Sequence, residues 1–532
     1  MDADYRLKFW WWIAIGTRVV ACFTQLSYSH PDEWTQTVEF GHFLASGVIS
    51  QTQEFFLHMR NLSWPMLISV VFRLAEWMAP GDVLVRMTGL KLLTAGLDLG
   101  IFWGWTRLVL VRTRGMDSKW NHLGYGVLAL CPWAVMESVR PSLEHLSAIA
   151  LWIGLGCSAI GRTGFAGVAA AWTGVFRYPS GLLALGFLAL PPRSWARLAL
   201  GAGTGLLLGG LADAWFYGRP FESLWMYLQF NIWTGLSARN FGAQSAAEYL
   251  RYFRDAWAGI LLPWGLLVAI LAPLGFWQGL KSRATWAWSL FFYGVGHLWI
   301  AHKEPRFMAP VFLLVLWASF EGAIWIFKFK KIRKLNRPLV ILLLLSGSLG
   351  MVRVLWGETW RVTDNYLEVS GHLKREKSVC AVVTVRKPFS FLLPRVALAF
   401  FPADHHASSF DFMQTRPLIW IQKEAECKPG DSILLQPYRP DERWERIYNC
   451  EILRSGILKW LPAQKEWSAA PWYRCPMQQI LSSFARTEER RVLAFEMSRL
   501  EPLPLHGVSA EELMSLATQR GKGFRDGTLG DW

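Results

Sequence analysis

The sequence predicts a mainly α-helical, polytopic membrane protein that ends in a smaller domain of a different kind. Three observations predict it. Charged residues are 18% of the 532, against about a quarter in a soluble chain, and they thicken toward the C-terminus. Apolar runs close to the ~20 residues that cross a bilayer recur as far as residue 356. The chain also carries 32 Trp and 33 Phe, which suit belts at the two bilayer interfaces, where an amphipathic ring is wet on one side only. The net charge of +15 is read against that background. Basic residues cluster beside apolar runs, as the positive-inside bias requires, which argues for membrane lipid and against nucleic acid as the partner.

About eleven spans follow in order. Residues 9–28 carry one charge, Arg18, and lack a small-residue cleavage site, so they read as an uncleaved anchor. They release into a polar loop, 29–63, in which 38–44 and 54–59 mix apolar with polar residues as interfacial helices do. The next runs are 64–80, 84–110, 123–138, 145–161 and 165–190, and then 199–217, 259–278, 284–300, 307–327 and 338–356. Ionisable groups among them are costly and need a reason. Arg86 and Asp98 flank one helix, where an Arg–Asp pair clamping helices is the plain explanation. Arg140 and Glu144 bracket a short break, Arg177 sits in Phe176-Arg177-Tyr178-Pro179, and Asp213 precedes Phe216-Tyr217-Gly218.

Orientation comes from the basic runs. Lys328 to Lys334, with Arg337, is the strongest and is assigned to the cytoplasm. Counting back puts Lys281/Arg283, Arg193/Arg197 and Arg6/Lys8 on the same side. The 29–63 loop, the 218–258 loop and His302–Arg306 then share the outer face. Arg112, Arg114 and Lys119 land outside on this count, against the bias. Either 84–110 is a re-entrant pair or that loop breaks the rule.

From about residue 357 the character changes. Val379–Val383, Leu418–Ile421 and Ser432–Leu435 read as buried strands, with Lys428-Pro429-Gly430-Asp431 as a turn. The expected division is 1–356 for the transmembrane catalytic domain, 357–500 for a small soluble α/β domain on the outer side, and 501–532 for a glycine-bearing tail. Cys22, Cys131 and Cys157 fall in apolar runs as core residues. Cys380, Cys427, Cys450 and Cys475 lack C-x-x-C spacing, so zinc is not expected, and one or two disulfides are open with the pairing unassigned. The sequence offers no GxGxxG, P-loop or HExxH, and hence no support for a cytosolic nucleotide site.

Two polar stretches stand where the chain leaves the bilayer. One is His30-Pro31-Asp32-Glu33-Trp34-Thr35-Gln36, with Glu39 beyond it; the other is His302-Lys303-Glu304-Pro305-Arg306-Phe307, followed by Pro310. In this order they resemble glycosyltransferase family 22 of the GT-C class, which includes dolichyl-phosphate-mannose-dependent enzymes of N-glycan and GPI-anchor assembly. Gln53-Glu54-Phe55, Arg60-Asn61 and Trp64-Pro65 resemble the family's Trp-Glu-Trp … Arg-Ser … Pro pattern, with Gln53 in place of its first aromatic. Gln229-Phe230-Asn231 resembles its Asn-Phe-x-x-Phe-Asn run.

The resemblance implies a GT-C fold and a mannosyltransferase that needs no metal and no cofactor. Its donor is a sugar on a polyprenyl phosphate, and its acceptor a lipid-linked glycan or glycolipid. A hydroxyl is a poor nucleophile at neutral pH, so a placed carboxylate must take its proton. The resemblance gives that role to Asp32, with Glu33 as the alternative. The departing phosphate needs cationic donors. The expected donor-phosphate and substrate-binding residues are His30, Arg60, Arg177, His302, Lys303, Glu304 and Arg306. The active site is expected on the lumenal face of an endoplasmic reticulum membrane or the periplasmic face of a bacterial inner membrane. A transporter or flippase of lipid-linked sugars would instead hold its ionisable groups near mid-bilayer. An arabinosyl- or aminoarabinose-type GT-C transferase would share a first-loop carboxylate, and the His302–Phe307 stretch favours family 22 over it.

Overall fold

The structure, a computed structural model, describes residues 3–24, 33–46, 57–80, 83–235, 242–252, 262–300 and 302–326, with 345, 347–348 and five short strands beyond them. Its helices in chain order are α1 (Ala3–Thr24), α2 (Glu39–Ser46), α3 (Ser63–Met78), α4 (Val83–Arg112), α5 (Lys119–Ala129), α6 (Pro132–Glu137) and α7 (Leu143–Ala159). There follow α8 (Thr163–Phe176), α9 (Trp195–Tyr217), α10 (Glu222–Leu228), α11 (Leu262–Lys281), α12 (Thr285–Trp299) and α13 (Ala309–Ile326). Two stretches of the described residues, Pro192–Tyr217 and Arg306–Ile326, are each long and apolar enough alone to cross a membrane. The chain divides into two compact units. One is Met1–Phe23, His58–Ser63 and Leu92–Leu355; the other is Thr24–Leu57, Trp64–Lys91 and Trp356–Trp532.

At the heart of the first unit α13 is apolar all round and buried from Ala309 to Ile324, as a helix enclosed by others must be. It packs on α11 and α7. The α11–α13 crossing is made by small residues: a Cβ on Gly275 would fall on the Ala318 carbonyl, and one on Gly322 on that of Leu271. Between helices in a membrane, close backbone approach of this kind supplies attraction that burial from water cannot.

Two predicted spans are broken. Residues 123–138 form α5 and α6, parted at Leu130–Cys131, because Pro132 has no N–H with which to continue the ladder. Residues 165–190 form α8 and then helical turns over Tyr178–Ala189 that run back along it. A Cβ on Gly174 would sit 3.3 Å from the Gly181 Cα, and one on Gly164 would sit 3.8 Å from the Arg197 carbonyl. The start of α9 therefore lies beside the start of α8.

The direction of the opening helices corrects the sequence count. Trp11 meets Phe102 with ring centroids 4.9 Å apart, and Arg18 Nε donates to Asp98 Oδ2 at 2.6 Å, so α1 and α4 run antiparallel. Trp10 donates its indole N–H to His122 Nδ1 at 3.1 Å, and Arg112 Nε to Glu321 Oε2 at 2.5 Å. The start of α1, the α4–α5 link and the end of α13 thus share one end of the bundle. Phe23 and Leu92 therefore lie toward the same end of the first unit, whereas the sequence count, with one crossing at 64–80, puts them at opposite ends. Tyr178–Ala189 runs back along α8, so this stretch also departs from the single crossing counted over 165–190. Arg112 lies at the end of the bundle where α1 starts and α13 finishes, the end to which the charge bias assigns Arg6 and Lys8.

Asp98 does pair with an arginine, but the arginine is Arg18; His145 Nε2 faces the same carboxylate at 3.2 Å, and all three side chains are buried. Arg86 pairs instead with Glu76 in the second unit.

In that second unit a π-helical turn, Trp34–Val38, runs straight into α2. Gly41 of α2 packs on Ile68 of α3, and Arg73 Nη2 donates to the Leu44 carbonyl at 2.7 Å. Glu33, Gln36, Glu39 and His42 are buried. Burial, helped by the nearby Arg86 charge, lowers the His42 pKa to about 4. Farther on lie β1 (Ala381–Thr384), β2 (His406–Ala407), β3 (Leu418–Ile421), β4 (Ser432–Pro437) and β5 (Phe495–Arg499). They form one sheet in the order β2-β3-β1-β4-β5, with β1 parallel to β4 and the other pairs antiparallel. The strands β1, β3 and β4 overlap the three apolar runs of the sequence; β2 and β5 have no such signal. The Lys428–Asp431 turn, the Lys328 run and the four C-terminal cysteines lie outside the described residues.

Candidate active site

Polar side chains converge at the end of the first unit where α8, α9 and α12 finish and α7 and α13 begin. Local chemistry places each of these termini. Pro141 interrupts the chain, and Ser142 then caps α7, its hydroxyl accepting the His145 N–H at 3.1 Å. Glu144 is thereby set in the first turn. At the other side of the site α8 stops at Phe176, because Pro179 has no N–H for the Val175 carbonyl. The chain leaves the helix at Arg177 in an extended conformation, φ −144° and ψ 107°.

Arg177 and Arg306 meet on Glu144. Its Oε1 lies 3.3 Å from Arg177 Nε and 3.7 Å from Arg306 Nε, with Glu144 and Arg177 both buried. Both guanidiniums also approach the Phe307 ring, their Cζ atoms 4.8 Å and 5.4 Å from its centroid. Arg306 pairs in addition with Glu304, whose other oxygen contacts His302 Nε2 at 2.7 Å. Arg177 Nη1 is buried and has no hydrogen-bond partner among the described residues.

Lys303 is placed differently from its neighbours. Its buried ammonium reaches back to the Ile300 and His297 carbonyls at the C-terminal end of α12, and it sits 5.2 Å from the Tyr249 ring centroid. A cation there satisfies carbonyls that the helix leaves open and complements its dipole. Burial lowers the Lys303 pKa. The Lys303 backbone N–H donates to Gln244 Oε1 at 2.8 Å.

A second network fixes Arg60. Asn61 donates to Asp213 Oδ1 at 2.8 Å and to the Gly209 carbonyl at 2.9 Å, and the Arg60 carbonyl accepts from the Tyr217 hydroxyl at 2.9 Å. Asp213 Oδ2 accepts from the Ser223 N–H at 3.0 Å and from its hydroxyl at 2.5 Å, and that hydroxyl also meets Tyr178. This ties α9 to α10. On α10, Tyr227 lies under the Arg60 guanidinium at 5.9 Å. Burial raises the Tyr227 pKa, while the nearby charges of Arg177, Arg60 and Arg306 pull it down and that of Glu144 pushes it up.

The structure thus brings Arg60, Arg177, His302, Lys303, Glu304 and Arg306 into one unit. Glu33 is buried in the second unit, and its carbonyl accepts from the Thr37 hydroxyl. His30 and Asp32 lie outside the described residues. Glu144 and Tyr227 join the site without a motif to mark them. Glu144 shows in the sequence only as one edge of a break, and Tyr227 gives no sequence signal.

Comparison with known proteins puts this helical chain among the glycosyltransferases. Residues 9–357 match the profile of the Alg9-like mannosyltransferase family, and the chain belongs to that family. It is 26% identical over 400 residues to GPI mannosyltransferase 3 of Trypanosoma brucei brucei, an alignment that covers 62% of this chain and 68% of that protein. Among solved structures, it is similar to ArnT from Cupriavidus metallidurans bound to undecaprenyl phosphate, with 15% identity, a TM-score of 0.43 and 75% of each chain covered. The apo form of the same protein gives 14% identity, a TM-score of 0.39 and the same coverage. Family membership makes the chain a glycosyltransferase and sets aside the transporter alternative.

Proposed function

We propose that this enzyme moves a mannosyl unit from a polyprenyl-phosphate donor to a hydroxyl of a lipid-linked glycan or glycolipid, with inversion at the anomeric carbon. The observation that carries the reading is the pairing of buried Arg177 with half-buried Arg306 across Glu144, with an Arg177 N–H left unpartnered among the described residues. Buried positive charge with an open donor suits an anion, and phosphate is the anion that a guanidinium fork matches in shape. In the step the acceptor oxygen bonds to the anomeric carbon, and the bond from that carbon to the phosphate oxygen breaks. The electron pair leaves with the phosphate, and the acceptor proton passes to the base. Asp32 is the proposed base, with Glu33 as alternative and His30 orienting it; a β-linked donor then gives an α-linked product. Arg177 and Arg306 meet the charge that grows on the leaving phosphate. Arg60, His302 and Glu304 complete the polar wall, and Lys303 holds the loop that carries the last two.

The proposed address is the endoplasmic reticulum membrane or a bacterial inner membrane, with about eleven crossings in a GT-C arrangement. The site and residues 357–500 would face the lumen or periplasm. Purified protein given polyprenyl-phosphate-mannose and candidate lipid acceptors provides the test. Asp32→Asn should lower turnover by about 10²-fold or more. Undiminished transfer by that variant ends the base assignment, and full transfer from a nucleotide sugar alone ends the donor assignment. For sidedness, thiol labelling should report Arg114→Cys on the same face as Lys331→Cys and on the opposite face from Ser29→Cys. Labelling of Arg114→Cys together with Ser29→Cys would restore a crossing at 64–80.

A further inference from the structure

Of the charged groups at the site, Glu144 is the one whose role the reaction does not explain. It is an acid, it is 3% exposed, and it sits among the cations that a leaving phosphate needs. Carboxylate and phosphate ask the same thing of a guanidinium, so a carboxylate there either competes with the substrate or prepares the site for it. The geometry distinguishes the two. Glu144 Oε1 faces the Nε side of both arginines, 3.3 Å from Arg177 Nε and 3.7 Å from Arg306 Nε, as a charge contact without a hydrogen bond, while the Arg306 Nε–H is donated to Glu304. Arg177 Nη1 remains buried and unpartnered among the described residues, so the acid does not occupy that donor. Two guanidiniums on one phenyl ring also repel each other, and a shared carboxylate between their inner edges offsets that repulsion in a poorly solvated place.

We infer that Glu144 is a positioning residue of the donor site: its charge holds Arg177 and Arg306 together from their Nε sides and leaves the outer N–H groups of Arg177 for a phosphate monoester or diester on a lipid. The Ser142 cap fixes the first turn of α7, and so fixes where this carboxylate stands. The inference rests on the polyprenyl-phosphate reading above. It adds that the site is set in advance by an acid that never touches the reacting atoms.

The test is binding of polyprenyl phosphate, compared with the uncharged polyprenol, to the purified full-length protein in detergent. Wild type should prefer the phosphate. Glu144→Gln keeps shape but loses charge, and should reduce that preference by about tenfold, the scale on which removing the partner of a ligand group acts. It should leave polyprenol binding unchanged, a selectivity that a merely structural lesion would not produce. Glu144→Asp should recover part of the preference. If Glu144→Gln binds the phosphate as wild type does, or more tightly, the acid is idle or a competitor and the assignment is overturned while the donor reading stands. If polyprenol and polyprenyl phosphate are weakened equally, the effect is structural and the assignment is likewise overturned. If wild type itself shows no preference for the phosphate, the donor reading falls and takes this inference with it.

Discussion

Neutralising one buried carboxylate, Asp98→Asn, should unfold the bundle far more readily than its size suggests. Asp98 is 1% exposed and Arg18 is 1% exposed, with 2.6 Å between Oδ2 and Nε. Apart from Asp98, the contact made by the Arg18 guanidinium is one long hydrogen bond, from Nη1 to the Ala14 carbonyl at 3.4 Å, while Nη2 has no partner among the described residues. The carboxamide in this variant keeps an acceptor but leaves a guanidinium without its counter-charge in a dry interior. Breaking a buried pair in this way costs about 3–5 kcal/mol, whereas replacing both partners by apolar groups of similar volume is near neutral. The assay is thermal or denaturant unfolding of purified protein in detergent, followed by intrinsic Trp fluorescence. Arg18→Met/Asp98→Leu should recover most of what Asp98→Asn loses. The reasoning is refuted if the single variant loses under about 1 kcal/mol, or if the double variant is no better than the single. The first outcome would mean that water or His145 supports Arg18; the second would mean that the pair itself is strongly stabilising.

Acid should weaken the second unit through His42. Its pKa is lowered to about 4 in the fold from about 6.5 in the unfolded chain, so the unfolded state binds the proton first; stability is constant above ~6.5, falls as pH drops through that window by up to about 3 kcal/mol, and levels off below ~4. His42→Phe should flatten the profile, as measured by urea midpoints across pH 4 to pH 7. Arg177→Lys keeps the charge but loses the planar fork and the Nε contact to Glu144; turnover should drop by about tenfold or more in the mannosyl-transfer assay, and an unaffected rate would remove Arg177 from the donor site. Gly275→Leu would drive a side chain into the Ala318 carbonyl of α13, and the α11–α13 crossing should open. A fall of about 1–3 kcal/mol in stability, or loss of the monodisperse peak on size exclusion, is expected; normal behaviour would mean that the crossing is loose.

Much of this arrangement is legible from residue order, and the illegible part has a common cause. Hydropathy locates nearly every helix, because a bilayer demands long apolar runs whatever their partners. It misses the breaks, since Leu130-Cys131-Pro132 and Arg177-Tyr178-Pro179 are too short to interrupt an apolar average. It reads 64–80 as a crossing because α3 is apolar on two sides, with Trp64, Ile68 and Phe72 buried and Leu67, Val70, Leu74 and Trp77 exposed. The His302–Phe307 stretch is visible as a motif because its residues are consecutive. The association of Arg177 with Arg306 is not, because the side chain that joins them, Glu144, is remote from both in sequence and looks like any polar residue near a helix start. Lys303 is the opposite case. It lies inside the motif and reads as a ligand for phosphate, yet its ammonium faces the end of the preceding helix.

One turn of α7 has a double duty. Its consecutive residues Glu144 and His145 point in different directions, one holding the arginines of the candidate site and the other closing on Asp98 and Arg18 between α1 and α4. A rigid helix cannot yield at one of these neighbours and stay still at the other. Damage to the anchoring of α1 would therefore reach the arginines through a single backbone step, so variants near the membrane-embedded Arg18 belong among those to screen for lost transfer, despite standing well away from any sugar.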